Sequence, residues 1–163
     1  MDAVASWHEF NVAIVGAAAA LAGLVIVAAS VNIGDIVKAV SLTSRLAAGI
    51  GGLVLAITAS AVGLIPAITP VAYGVTMLVV GAIFTVFPAQ AARRIFENHA
   101  PENVARPLKA LVGFVAPLAY LIGSILLIAG LPAAGLVVFA AGSVLAIMAA
   151  LLISWVVLVE VLR

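Results

Sequence analysis

The sequence predicts an all-α integral membrane protein, a helical bundle of five transmembrane helices, on three observations. All seven Lys and Arg residues fall in short polar stretches: Lys38 and Arg45; then Arg93, Arg94, Arg106 and Lys109; then Arg163. Between them, Phe10 to Gly34, Leu46 to Ala92 and Ala110 to Val159 contain no Asp, Glu, Lys or Arg. Apolar residues make up 67% of the chain, charged residues 8%, and mean hydropathy is +1.42. A soluble monomer would expose far too much of that apolar surface.

A hydrocarbon core about 30 Å thick needs roughly 20 apolar residues per helix, so the first gap holds one span and each longer gap holds two. Both long gaps carry a proline-containing break near the middle, Leu64-Ile65-Pro66-Ala67-Ile68-Thr69-Pro70 and Gly130-Leu131-Pro132-Ala133-Ala134-Gly135. Proline lacks an N–H and clashes with the preceding turn, so a helix stops and reverses there. The expected spans are 12–31, 46–64, 71–87, 110–129 and 134–158, forming one transmembrane domain over 1–163. With five spans every Lys and Arg lies on one side, which the positive-inside rule makes cytoplasmic, with the amino terminus outside and the carboxyl terminus inside. A four-span alternative would place Arg163 opposite the other cations.

The first span is expected to be a genuine helix and not a signal peptide, because Met1 to Glu9 has no basic residue. It is rich in small residues. Gly16 with Ala20, Ala19 with Gly23, and in the next span Ala48 with Gly52 and Ala56 with Ser60, form small-x-x-x-small pairs that let helix backbones approach closely. The first span has more such positions than one packing seam requires, which suggests a second, intermolecular seam; the alternative is that the chain is simply alanine-rich. Trp7 and Trp155 have the positions of interfacial anchors, with Tyr73 assisting on the outer side.

Between the first two spans, Ile33, Ile36, Val37 and Val40 recur at i, i+3, i+4 and i+7, predicting a short helix at the inner interface. The longest polar piece, the cytoplasmic loop 88–109, is the expected recognition element. Ala92, Ile95 and Phe96 dip into the interface while Arg93, Arg94 and Glu97 stay wet, and Pro101 restarts a turn after Asn98-His99-Ala100. Arg93, Arg94, Arg106 and Lys109 are candidates for lipid-headgroup or partner contact, although insertion topology alone calls for cations there. The two long gaps also read as parallel hairpin repeats running from Arg45 and Lys109, or as unrelated hairpins of the same necessary length.

Catalytic, cofactor-binding and metal residues are not expected. There is no cysteine, so disulfides, thiolate ligands and thiol nucleophiles are excluded. No Asp, Glu, Lys, Arg or His lies within the first four spans, which argues against proton-coupled transport. Glu160, near the inner end of the fifth, is expected to pair with Arg163 three positions on. His8 and His99 fall on opposite faces in this topology and cannot share a metal. Thr58, Ser60, Thr76, Thr85, Ser124 and Ser143 have no base in reach and are expected to bond to a carbonyl one turn back or across helices.

Some of these residues carry a resemblance. Trp7-His8-Glu9-Phe10, the stretch from Gly23 to Asn32, Arg45 at the start of the next helix, and the ending from Trp155 to Arg163 resemble a family of small actinobacterial membrane proteins without assigned chemistry. The chain is also similar to the accessory subunits of mycobacterial MCE lipid-import complexes. That likeness implies a non-catalytic protein beside the permease in the bacterial inner membrane, assisting uptake of fatty acids or sterols, and transfers no functional residue. The expected partners are membrane lipids and a hetero-oligomeric membrane complex, with no nucleic acid. The alternatives are a small oligomeric channel or carrier for a small or apolar solute, and a lipid- or quinone-binding module, which would need a lateral apolar groove.

Overall fold

The computed structural model of the chain describes residues 3–38, 40–97 and 106–161; the side chains of Val40, Ser41, Arg106, Lys109, Leu158, Glu160 and Val161 lie outside that description. The expected loop features at Asn98 to Glu102 and the Glu160–Arg163 pair therefore fall outside it as well. The described residues are helical almost throughout. A short 3-10 turn, Ala5–Trp7, leads into α1 (His8–Val31), followed by α2 (Ile33–Lys38), α3 (Val40–Gly63), α4 (Pro70–Phe84), α5 (Val86–Glu97), α6 (Arg106–Ile128) and α7 (Pro132–Val161).

Five segments are long and apolar enough to cross a bilayer: Ala5–Val31, Leu42–Gly63, Pro70–Glu97, Ala110–Ile128 and Pro132–Val157. The two expected reversals are present. Thr69 caps α4, its hydroxyl accepting a 3.2 Å bond from the Ala72 N–H, with Pro70 at the first helical position, where its missing N–H costs nothing. At the other reversal Gly130 takes φ +80°, the left-handed conformation that glycine adopts without a Cβ penalty, and Pro132 opens α7.

Two boundaries differ from expectation. α3 begins at Val40, so Arg45 lies inside the apolar helix and not at its start. The third span continues past Phe87 to Glu97, because α5 carries on from α4 after a break at Thr85. Pro88 has no N–H to offer the Phe84 carbonyl one turn back, and the ladder resumes with the Ala89 N–H on the Thr85 carbonyl at 3.2 Å. The supposed loop therefore starts as helix.

α3 is the central element and touches every other helix, while α6 packs along both α4 and α7. α1 lies outside this group, essentially on α3 alone. The two hairpins differ in detail: α6 and α7 stay together, whereas α3 meets the third span more through α5 than through α4, and α4 packs chiefly on α6.

Side chains from the start of α1, the end of α3 and the starts of α4 and α7 line one small void, which sets these ends together. The start of α3, the end of α5, the start of α6 and the end of α7 meet around another cavity at the opposite end. The end of α1 and α2 join the same group, Val25, Ala29 and Ile36 packing with Leu46 and Val157. One end of the bundle thus gathers Lys38, Arg45, Arg93, Arg94 and the first turn of α6; it is called the basic end below.

Candidate functional site

The small residues singled out from the sequence separate into two sets. On α3, Ala48, Ala56 and Ser60 are buried, and a Cβ placed on Gly52 would come within 3.9 Å of Ala146 on α7. These positions hold the bundle itself together. On α1, Asn11, Ile14, Ala18, Ala22, Val25 and Ala29 form the buried stripe, and Gly16, Ala19, Ala20 and Gly23 lie on the other side of the helix, all exposed. A Cβ built on Gly16 or Gly23 would meet nothing within 4 Å. Their spacing, i, i+3, i+4 and i+7, makes one continuous face. Outward faces elsewhere are bulky: Val71, Val75, Val79 and Ile83 on α4, and Leu118 and Ile122 on α6.

The tightest helix contacts involve glycines that the sequence reading did not select. A Cβ on Gly135 of α7 would sit 2.9 Å from the Gly123 carbonyl of α6, and one on Gly123 would sit 3.0 Å from the Gly135 carbonyl and on the Phe139 ring. Gly142 faces Ala119 in the same seam. Gly74 of α4 rests on the Ser124 carbonyl, where a Cβ would come within 2.9 Å. The sequence signal was present: Ala119 with Gly123 is a small-x-x-x-small pair, and Gly135 with Gly142 lie two turns apart.

A buried polar cluster ties the helices together toward the end away from the basic one. The Tyr73 hydroxyl donates to the Ala59 carbonyl at 2.8 Å, joining α4 to α3. Ser143 gives its proton to the Phe139 carbonyl at 3.0 Å, so in the 2.8 Å Tyr120–Ser143 contact the tyrosine hydroxyl donates, joining α6 to α7. Tyr73 is 2% exposed and packs edge-on against Phe139, so it is a bundle residue and not the expected interfacial anchor. Asn11, which the sequence reading passed over, is buried beside them with its amide nitrogen lacking a partner. Trp155 is exposed, while Trp7 is half-buried against Phe10. Thr58, Thr76, Thr85 and Ser124 bond to carbonyls one turn back, as expected.

At the basic end, Arg93 and Arg94 are exposed, and Arg94 pairs with Glu97 at 3.0 Å. Lys38 pairs with Asp35 at 2.8 Å; this hydrogen bond, with the carboxylate's charge behind it, raises the Lys38 pKa above its ordinary value. Arg106 and Lys109 lie in the first turn of α6 with their side chains outside the described part. Pro88, Ala91 and Ile95 point into the bundle, Ile95 being 3% exposed, while Phe96 faces outward. In α2 only Ile36 is buried, and it packs into the bundle core, with Ile33 and Val37 exposed. Among the described residues no three His, Cys, Asp or Glu side chains converge.

Comparison with protein-family models, with curated proteins and with solved structures finds no match.

Proposed function

We propose that this chain is a non-catalytic accessory or scaffold subunit of a larger assembly in the bacterial inner membrane, joined to it through α1. The observation that carries the reading is the outward face Gly16, Ala19, Ala20 and Gly23, which is exposed, with none of the described residues within 4 Å of a Cβ built on either glycine. Lipid and leucine are equally apolar, so helices associate in a bilayer through close backbone packing, which small residues permit. A transmembrane helix of a second membrane protein is the occupant we propose for that face. An MCE-type lipid-import transporter is the assembly that the sequence resemblance points to. The positive-inside rule orients the basic end toward the cytoplasm. The channel or carrier alternative has less support, since its candidate hydroxyls Thr58, Thr76 and Ser124 are turned back onto their own helices.

A photo-crosslinking residue at Ala20 is expected to give an adduct with a different membrane protein, whereas the same probe at Val144, exposed on α7, gives none. Gly23→Leu or Ala19→Leu should abolish co-purification of that protein and leave insertion intact, with tags at the two termini reporting from opposite compartments. An Ala20 adduct with a second copy only, or co-purification unchanged by both substitutions, overturns the reading.

A further inference from the structure

We infer that the cavity at the basic end is a binding site for one anionic membrane phospholipid, its acyl chain lying in the cavity and its phosphate held by Arg45. The cavity measures about 240 Å³, below the roughly 300–1,000 Å³ of drug-sized sites and suited to a single slender chain. Four helices build it. Ala48 of α3, Ala91 and Ile95 of α5, Val112 of α6 and Ile153 of α7 make an apolar wall. Leu108 on α6 and Leu152 on α7, both exposed, stand at its rim, so a chain in the surrounding lipid reaches the interior between them.

Among the described residues Arg45 is the one charged side chain in the lining. It is half-buried and placed where α3 leaves the polar end of the bundle. Charge in an apolar helix is costly and is kept where it meets a partner or the interface. Arg45 has an interaction within the chain, and a guanidinium with five N–H donors in a planar fork can hold a phosphate as well. Apolar wall, lateral opening and a cation at the headgroup end match the two parts of a phospholipid in their order along the membrane normal. The guanidinium of Arg45 in the lining favours an anionic headgroup over a zwitterionic one. No α1 residue contributes to the cavity, and the site stands or falls independently of the α1 reading.

The test is native mass spectrometry of the purified protein in nonionic detergent, titrated with phosphatidylglycerol or phosphatidylcholine, alongside thermal unfolding. The wild type should retain one phosphatidylglycerol per chain about tenfold more tightly than phosphatidylcholine, equivalent to about 1.4 kcal/mol, and melt higher with it. Arg45→Gln should erase the headgroup preference, and Arg45→Lys should keep part of it. Ala110→Trp, which fills the cavity from α6 and leaves Arg45 in place, should remove retention of both lipids, so the site remains testable if Arg45→Gln fails to fold. Equal retention of the two lipids by the wild type, or undiminished phosphatidylglycerol binding in Arg45→Gln or Ala110→Trp, overturns the proposal. Inorganic phosphate raising the melting temperature as much as phosphatidylglycerol would make this a phosphate site and overturn it too.

Discussion

Gly16 and Gly23 on α1 are seven residues apart, and so are Gly135 and Gly142 on α7. Seven residues are close to two helical turns, so each pair marks one face of its helix. On α7 that face meets α6 so closely that a Cβ would lie within 2.9 Å of a backbone carbonyl at Gly135 and of Ala119 at Gly142. On α1 the same pattern meets nothing. The most apolar stretch of α7 is 33% buried within the protein and that of α1 22%. Small-residue spacing therefore marks a helix as able to pack closely, and only the surrounding chain decides whether the seam is filled internally. α7 uses its glycines to complete the bundle. α1 keeps a packing face to spare.

The largest effect should come from adding a single methyl to the filled seam. At Gly135 it would meet the Gly123 carbonyl at 2.9 Å and Leu127 Cγ at 2.8 Å, and backbone cannot yield as a flexible side chain does. Overpacking of this kind costs about 1–3 kcal/mol, so Gly135→Ala should lower thermal stability in detergent clearly. A Gly135→Ala protein as stable as wild type would mean that α6 and α7 are farther apart than described, and the contrast with α1 would lose its basis.

A middle-sized effect is expected where a hydrogen bond, and not backbone contact, joins two helices. α3 and α4 part after their shared turn, and the Tyr73 hydroxyl on the Ala59 carbonyl bridges them within the apolar interior. Bonds between membrane helices average about 0.6 kcal/mol and reach about 1.7, so Tyr73→Phe should destabilise by about 1 kcal/mol. Tyr120→Phe should cost less, because Ser143 keeps its bond to the Phe139 carbonyl and the glycine seam still holds α6 on α7. Equal losses in the two variants would show that the hydroxyls, and not the glycines, set the strength of the α6–α7 contact.

The chain's reversals were legible because they rest on local chemistry. Pro66, Pro70, Gly130 and Pro132 cluster near the middle of gaps long enough for two spans, unlike the lone Pro117 inside α6, and the charge-free stretches 46–92 and 110–159 fix how many spans fit. The inward faces were not legible. α1, α4 and α7 are apolar on every side, so periodicity has no polar face to measure against, and the distinction between a neighbour helix and a lipid tail is absent from hydropathy. Arg45 was misplaced for a related reason. The charge-free criterion starts a span after the last cation, but a helix can carry an arginine within it when the long apolar stem lets the guanidinium reach the interface. In α5 Arg93 and Arg94 are exposed, while contacts with α3 and α6 chose Ala91 and Ile95 over the bulkier Phe96 as the buried ones.

The smallest effect on stability, and the sharpest test of the comparison, is expected from the methyl group that α7 cannot accept when it is placed on α1. Gly16→Ala and Gly23→Ala add a Cβ to open space and replace a residue with poor helix propensity by the best helix former, a gain of up to about 1 kcal/mol in a soluble helix. Melting temperature of the isolated protein should therefore stay level or rise slightly. If the face is a seam filled by another protein's helix, the same methyl should weaken that association, so the two measurements move in opposite directions: the chain alone no less stable, the assembly less so. Loss of stability in the isolated chain would instead mean that Gly16 or Gly23 already has a neighbour within it, and α1 would join α7 as a helix whose glycines serve the bundle alone.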